Sequence, residues 1–170
     1  LVHLGQHKPV GLALLFDPPA SPRLAYETLA HESLVLAAPR HGAPLPARIR
    51  LQALSAYPLV LPSSPNAIRS LLDRTLSRYD VALDIIAEVN TVQASLALVA
   101  DGVGCSVVPE SAVASRRRSS GVRVARIGPP AIRNSLVLAM PLAKPATRLT
   151  RETAELLRHL DFHALARGVA

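Results

Sequence analysis

Tryptophan is absent from this sequence, phenylalanine occurs twice and tyrosine three times, so aromatic residues make up only 3% of it. Proteins that hold single-stranded nucleic acid stack bases on aromatic side chains, and the material for that is missing. A single cysteine, Cys105, rules out an internal disulfide framework. It opens an apolar run and reads as a small buried hydrophobe rather than a reactive thiol. Acidic residues are scarce, 12 against 19 Lys and Arg, for a formal charge of +7. The arginines are spread along the chain, and the one dense run, Arg116 to Arg118, sits among serines as a solvated loop would. The surplus charge favours an anionic ligand or partner. No apolar run approaches the ~20 residues needed to cross a bilayer, so no membrane association is expected.

Reaction chemistry is also sparsely represented. No serine sits in Gly-x-Ser-x-Gly, and no histidine or carboxylate stands out as its partner. Asp17, Asp101 and Glu110 are isolated acids beside turns, where capping and solvation account for them. His159 and His163 are four apart on a predicted helix, but two ligands without a matching Cys, Asp or Glu cluster do not close a metal site. His31-Glu32 is followed by Val35 where a zinc-protease pattern needs histidine. Gly102-Val-Gly104 follows a helix and precedes a strand, the reverse of a dinucleotide-binding loop. No catalytic residue, metal or cofactor is therefore expected.

What the 170 residues do contain is core-forming material, 49% hydrophobic, arranged as short apolar runs alternating with segments of helical period. The class is α/β. Leu1 to Gly5 resembles a helix end stopped by glycine. Val10 to Phe16 reads as a buried strand ended by Asp17-Pro-Pro19, and Ser33 to Ala38 as a second strand. Pro39 to Pro46 breaks structure repeatedly and reads as a passage between lobes. Ile49 to Ser55 suggests a short helix feeding the strand Pro58 to Leu61. Ile68, Leu71, Leu72, Thr75 and Leu76 then share one helix face. Leu83 to Val89 is the next strand, followed by a helix with Val92, Leu96 and Val99 inward and Gly102 as a left-handed cap. Strands are expected at Val107 to Pro109, Val122 to Ile127 and Ser135 to Met140. A last helix begins at Thr147 or Thr150, with Leu149, Leu156, Leu157 and Leu160 able to cover a sheet face.

Ser63, Ser64, Asn66, Asn90 and Thr91 stand at predicted strand-to-helix junctions on one sheet edge. Capping suffices to explain any one of them. As a group they point to a pocket, because backbone N-H groups and helix-dipole positive ends gather where open α/β sheets bind ligands. Arg69 is the nearest fixed positive charge, which makes a small carboxylate a candidate solute.

Several stretches together resemble the effector-binding part of LysR-type transcriptional regulators. They are Glu32-Ser-Leu-Val-Leu-Ala-Ala-Pro39 with His41-Gly-Ala-Pro-Leu45, Tyr57-Pro-Leu-Val-Leu-Pro62, Arg69-Ser-Leu-Leu-Asp73, Glu88-Val89 and Leu98-Val-Ala-Asp-Gly-Val-Gly-Cys-Ser-Val-Val-Pro109. The run from Leu61 to Asp73 is similar to regulators grouped with nitrogen-assimilation control. The resemblance implies a two-lobed, Rossmann-like fold of the type II periplasmic-binding-protein kind, with residues 48–125 as the second lobe and 1–47 with 126–170 as what remains of the first. It implies a small-molecule effector between the lobes, lined by Phe16, Ser63, Ser64, Asn66, Asn90, Thr91 and Ile127. It further implies a cytoplasmic homodimer or homotetramer that reaches DNA only through an N-terminal helix-turn-helix outside these residues. The chain opens on Leu1 and is expected to be a fragment, and the resemblance implies that its first lobe lacks its first strand and helix. A solute-binding protein of the same fold and an enzyme on a two-lobe scaffold, using Asp17 or Cys105, are the competing classes.

Overall fold

The computed structural model describes residues 11–114, 121–143, 145–162 and 164. The helix end expected at Leu1 to Gly5, the loop Arg116 to Arg118 and His163 lie outside these residues. The chain divides into two compact units, one drawn from Leu1–His31 and Ser135–His163, the other centred on Glu32–Asn134. Two long strands, β2 (Leu24–Pro39) and β8 (Arg133–Pro141), contribute to both.

The second unit contains the alternation expected from the sequence. Strand β3 (Arg48–Ile49) leads through a 3-10 turn, Leu51–Ala56, into β4 (Pro58–Pro62). The predicted short helix is thus 3-10 rather than α, six residues between two strands. Helix α1 (Ala67–Leu76), β5 (Asp84–Val89), α2 (Val92–Ala100), β6 (Ser106–Pro109), α3 (Glu110–Ala114) and β7 (Val122–Ile127) follow. Strands β4 and β5 pair in parallel, with Pro62 opposite Val89. A parallel bridge joins Leu59 to Cys105. Strand β2 takes β6 on one side and β7 on the other, both antiparallel, and β3 runs parallel to β7.

The stretch Leu34 to Ala38 is a continuous apolar run because both its edges are paired and both its faces are covered. Its period-two alternation divides the core. Leu34, Leu36 and Ala38 face a cluster with Leu59, Leu61, Leu72 and Val107, while Val35 and Ala37 face Leu96, Val99, Val108 and Val113. Helix α1 buries Ile68, Leu72 and Leu76, the face its spacing indicated, and α2 buries Leu96 and Val99 with Val92 partly covered. Gly102 adopts φ +82, and the Gly102 and Val103 N-H groups return to the Val99 and Leu98 carbonyls, closing α2 as expected. Cys105 is buried and burial pushes its thiol pKa up, the opposite of what a nucleophile needs.

In the first unit β1 (Ala13–Phe16) pairs antiparallel with β8, and α4 (Arg148–His159) starts at Thr147, whose hydroxyl accepts the Thr150 N-H at 3.1 Å. Here the leucine reading fails. Leu149 is 74% and Leu156 64% exposed, and Leu160 is also exposed, whereas Thr150 and Ala154 are buried. Two faces of α4 compete, and the one with small residues wins because it permits close approach. A Cβ on Gly11 would stand 2.6 Å from the Thr150 hydroxyl. Leu157 is partly covered on the inward side. Arg158 anchors the helix to β2 through a bidentate pair with Glu27, with contacts of 2.9 to 3.1 Å. That hydrogen bonding holds the Glu27 carboxyl below its ordinary pKa.

Candidate functional site

Strands β6 and β7 both oppose β2, β3 follows β7, β5 follows β4, and β4 follows β6 through the Leu59 to Cys105 bridge. The carboxyl ends of β3 through β7 therefore share one edge of the second unit. This edge carries the loops between Pro62 and Ala67, between Val89 and Val92, the junction Pro109 to Glu110, and the turn after Ile127.

Five of the sequence-predicted residues lie on two adjacent loops of this edge. The Ser63 N-H donates to the Val89 carbonyl at 3.1 Å, which ties the loops together beyond the last ladder pair. Asn66 is the N-cap of α1, its Oδ1 accepting from the Ile68 N-H at 2.9 Å and the Arg69 N-H at 3.4 Å. Thr91 caps α2 by accepting the Ala94 N-H at 3.1 Å. Ser64 and Asn90 are exposed beside them. Asn66 and Thr91 thus have measurable structural work. Replacing either by alanine is expected to cost about 1 kcal/mol of stability. Chemical denaturation of the two variants checks this, and a loss below a few tenths would show the caps to be dispensable.

Arg69, the fixed positive charge nearest the predicted pocket, is already paired. Its guanidinium donates to Glu88 at 2.6 Å and to both carboxylate oxygens of Asp73 at 3.1 Å. The Glu88 hydrogen bond is the first cause of its raised pKa, followed by opposing desolvation and then Asp73. Asp73 lies one turn on in α1 itself and Glu88 on β5, so the charge braces the helix, ties it to β5 and is neutralised before any solute arrives. Phe16 belongs to the first unit, half exposed at the end of β1.

Ile127 is buried and lines a cavity of about 480 Å³ within the second unit. Its polar lining is Ser33, Arg48, Glu110 and Arg126, and none of the five loop residues is among the described lining. Sequence reasoning missed these four. Arg48 stood at a presumed lobe boundary, Arg126 within the predicted strand Val122 to Ile127, and Glu110 beside a turn, with no local signal joining them. The β3 to β7 ladder does so by placing Arg48 opposite Arg126. Glu110 approaches Arg126 at 3.8 Å. Next to it, the Ser111 N-H at the start of α3 donates to Glu32 at 2.6 Å. Among the described residues no group of three or more His, Cys, Asp or Glu could hold a metal ion, and no helix is long and apolar enough to cross a membrane.

The model of the LysR substrate binding domain matches residues 7–161. The nitrogen assimilation regulatory protein nac of Escherichia coli (strain K12) is 29% identical over 109 residues, 64% of this chain and 36% of that protein. The HTH-type transcriptional regulator BbuR of Bordetella bronchiseptica is 30% identical over 115 residues, 67% of this chain and 35% of that protein. The chain thus spans about a third of the length of the curated relatives it matches. The solved CcmR regulatory domain of Synechocystis PCC6803 in complex with 2-PG superposes with a TM-score of 0.78 at 21% identity, over 87% of this chain and 72% of that one. The effector binding domain of QuiR in complex with shikimate gives 0.77 at 21%, over 86% and 69%. These likenesses establish a fold of the type II periplasmic-binding kind. With the family match running over nearly its whole length, the chain belongs to the LysR substrate binding domain family.

Proposed function

We propose that this chain senses a small-molecule effector for a transcriptional regulator, and that the longer protein reaches DNA through a segment outside these residues. The observation that carries the reading is the single sheet edge on which five strand ends, two capped helix starts and a 480 Å³ cavity meet. Open α/β sheets bind ligands at such edges. That the CcmR and QuiR domains of the same fold hold 2-PG and shikimate supports it.

In this reading the second lobe comprises residues 48–125 and the first 1–47 with 126–170. The compact units divide within the long strands instead, after His31 and after Asn134. Phe16, Ser63, Ser64, Asn66, Asn90, Thr91 and Ile127 remain the proposed effector contacts. An effector shifts the regulator's conformational equilibrium only by its differential affinity for the two states. The function is therefore binding rather than catalysis, in a cytoplasmic homodimer or homotetramer.

The test is electrophoretic retardation of promoter DNA from the protein's own locus. The 170-residue chain is expected to give no sequence-specific retardation. The longest natural chain containing it is expected to give retardation that persists at physiological salt, since non-specific phosphate contacts weaken steeply there. Specific, salt-resistant binding by the 170 residues alone would overturn this division of labour.

A further inference from the structure

We propose that the cavity beside Arg48 and Arg126 holds the oxyanion group of a small molecule, clamped between the two guanidinium groups. The inference rests on the effector-sensing reading and names the chemistry of its ligand. Arg48 and Arg126 are ladder partners on neighbouring parallel strands, and both line the cavity. Like charges placed directly opposite one another in a sheet are destabilising.

Protein groups do little to relieve that repulsion. Among the described residues Arg48 has no ion-pair partner, and Arg126 has only Glu110, at 3.8 Å with 68% of the arginine side chain exposed. An exposed pair at that distance contributes little. Compare Arg69, whose two carboxylate partners lie at 2.6 and 3.1 Å. The arginines at this edge are thus of two kinds, one saturated within the fold and two facing an open volume.

A guanidinium presents a planar fork of donors matched to carboxylate and phosphate oxygens, and two of them satisfy an oxyanion without further protein donors. The cavity also supplies the Ser33 hydroxyl and an apolar wall at Ile127 and Pro129. Its volume falls in the ordinary range for small-molecule sites. The ligand is therefore a small carboxylate or phosphate with a compact body, and its anionic end fixes its orientation.

The experiment is isothermal titration calorimetry at low ionic strength on the longest natural chain containing these residues. The probes are succinate, inorganic phosphate and neutral succinamide. Wild type is expected to bind succinate or phosphate and not succinamide, and whichever anion binds distinguishes carboxylate from phosphate recognition. Arg48→Gln and Arg126→Gln should each weaken binding by about tenfold or more. Arg48→Lys, which keeps the charge but loses the fork, should fall between. Arg78→Gln, at an exposed arginine outside the cavity lining, should match wild type.

Both cavity arginines are exposed and stand opposite one another, so the Gln variants are expected to unfold at or slightly above the wild-type temperature without ligand, which separates lost binding from lost structure. Absence of binding by either anion at about 10 mM, a concentration at which even a millimolar site would be filled, overturns the clamp. So does binding undiminished in Arg48→Gln and Arg126→Gln. A neutral solute bound equally by all variants would overturn the clamp and leave the sensing reading standing. Loss of specific DNA retardation in the longer protein would remove the sensing reading and leave the calorimetric result intact.

Discussion

Leu36→Ala is expected to lower the unfolding free energy by about 2–5 kcal/mol. Leu36 is fully buried and stands opposite Val107 of β6 and Ala125 of β7. It packs into the larger of the two core clusters with Leu59, Leu61 and Leu72. Removing its side chain takes away apolar contact and leaves a void, which the surroundings cannot fill because β2 is held by hydrogen bonds on both edges. The measurement is the urea midpoint at unchanged m-value. Leu156→Ala serves as the comparison, since that leucine is 64% exposed on α4 and should change stability by no more than about 0.5 kcal/mol. Equal effects at the two positions would show that the core has been wrongly located.

Gly104→Ala is expected to cost about 1–3 kcal/mol through overpacking. A Cβ there would lie 2.8 Å from the Pro58 carbonyl oxygen and 2.9 Å from the Ile86 Cδ1. The isoleucine is exposed and can turn away, but the Pro58 carbonyl is held, accepting the Cys105 N-H at 2.8 Å. Relief has to come from moving β4 away from β6. Hydrogen exchange should therefore quicken at Cys105 and at Val60, whose N-H donates to the Cys105 carbonyl at 2.7 Å, before it does so in the β2 to β7 ladder. Because β4 leads into the loop of Ser63 to Asn66, exchange at the amides of that loop should quicken with it. Uniform exchange across the unit would mean that the glycine is not what spaces these strands.

Gly102, two residues earlier, has a different task. Its φ is +82 and a Cβ there would meet nothing within 4 Å, so alanine would cost only the left-handed backbone, about 1–2 kcal/mol. The spacing of the sequence identified Gly102, because a helix cap is a local requirement. It could not identify Gly104, whose constraint comes from a carbonyl 46 positions away in the chain.

The same division runs through the site. Asn66 and Thr91 were legible because an N-cap acts on amides two or three residues ahead. Ser63 was legible as a junction residue, yet its bond to Val89 depends on parallel pairing of β4 with β5. Arg69 was read as the nearest fixed charge for a solute, although Asp73 stands one turn on, because its second partner Glu88 lies 19 positions on and nothing in the helix pattern indicates which side chains of β5 it meets. The leucines of α4 were misread for a related reason. Helical period defines faces, but which face turns inward depended on Gly11 and the small side chains of Thr150 and Ala154.

By itself the sequence determined the α/β class, the approximate positions of most strands and helices and a short set of candidate caps, since each rests on neighbours within a turn or a strand's length, and the order of its motifs along the chain indicated the family. Tertiary structure alone decided that Arg69 also meets Glu88, that Arg48 meets Arg126 beside a cavity, and that α4 keeps two leucines in solvent. Those outcomes depend on ladder register and interlayer distance, which bring together charges and surfaces far apart in the chain and leave no periodic trace along it.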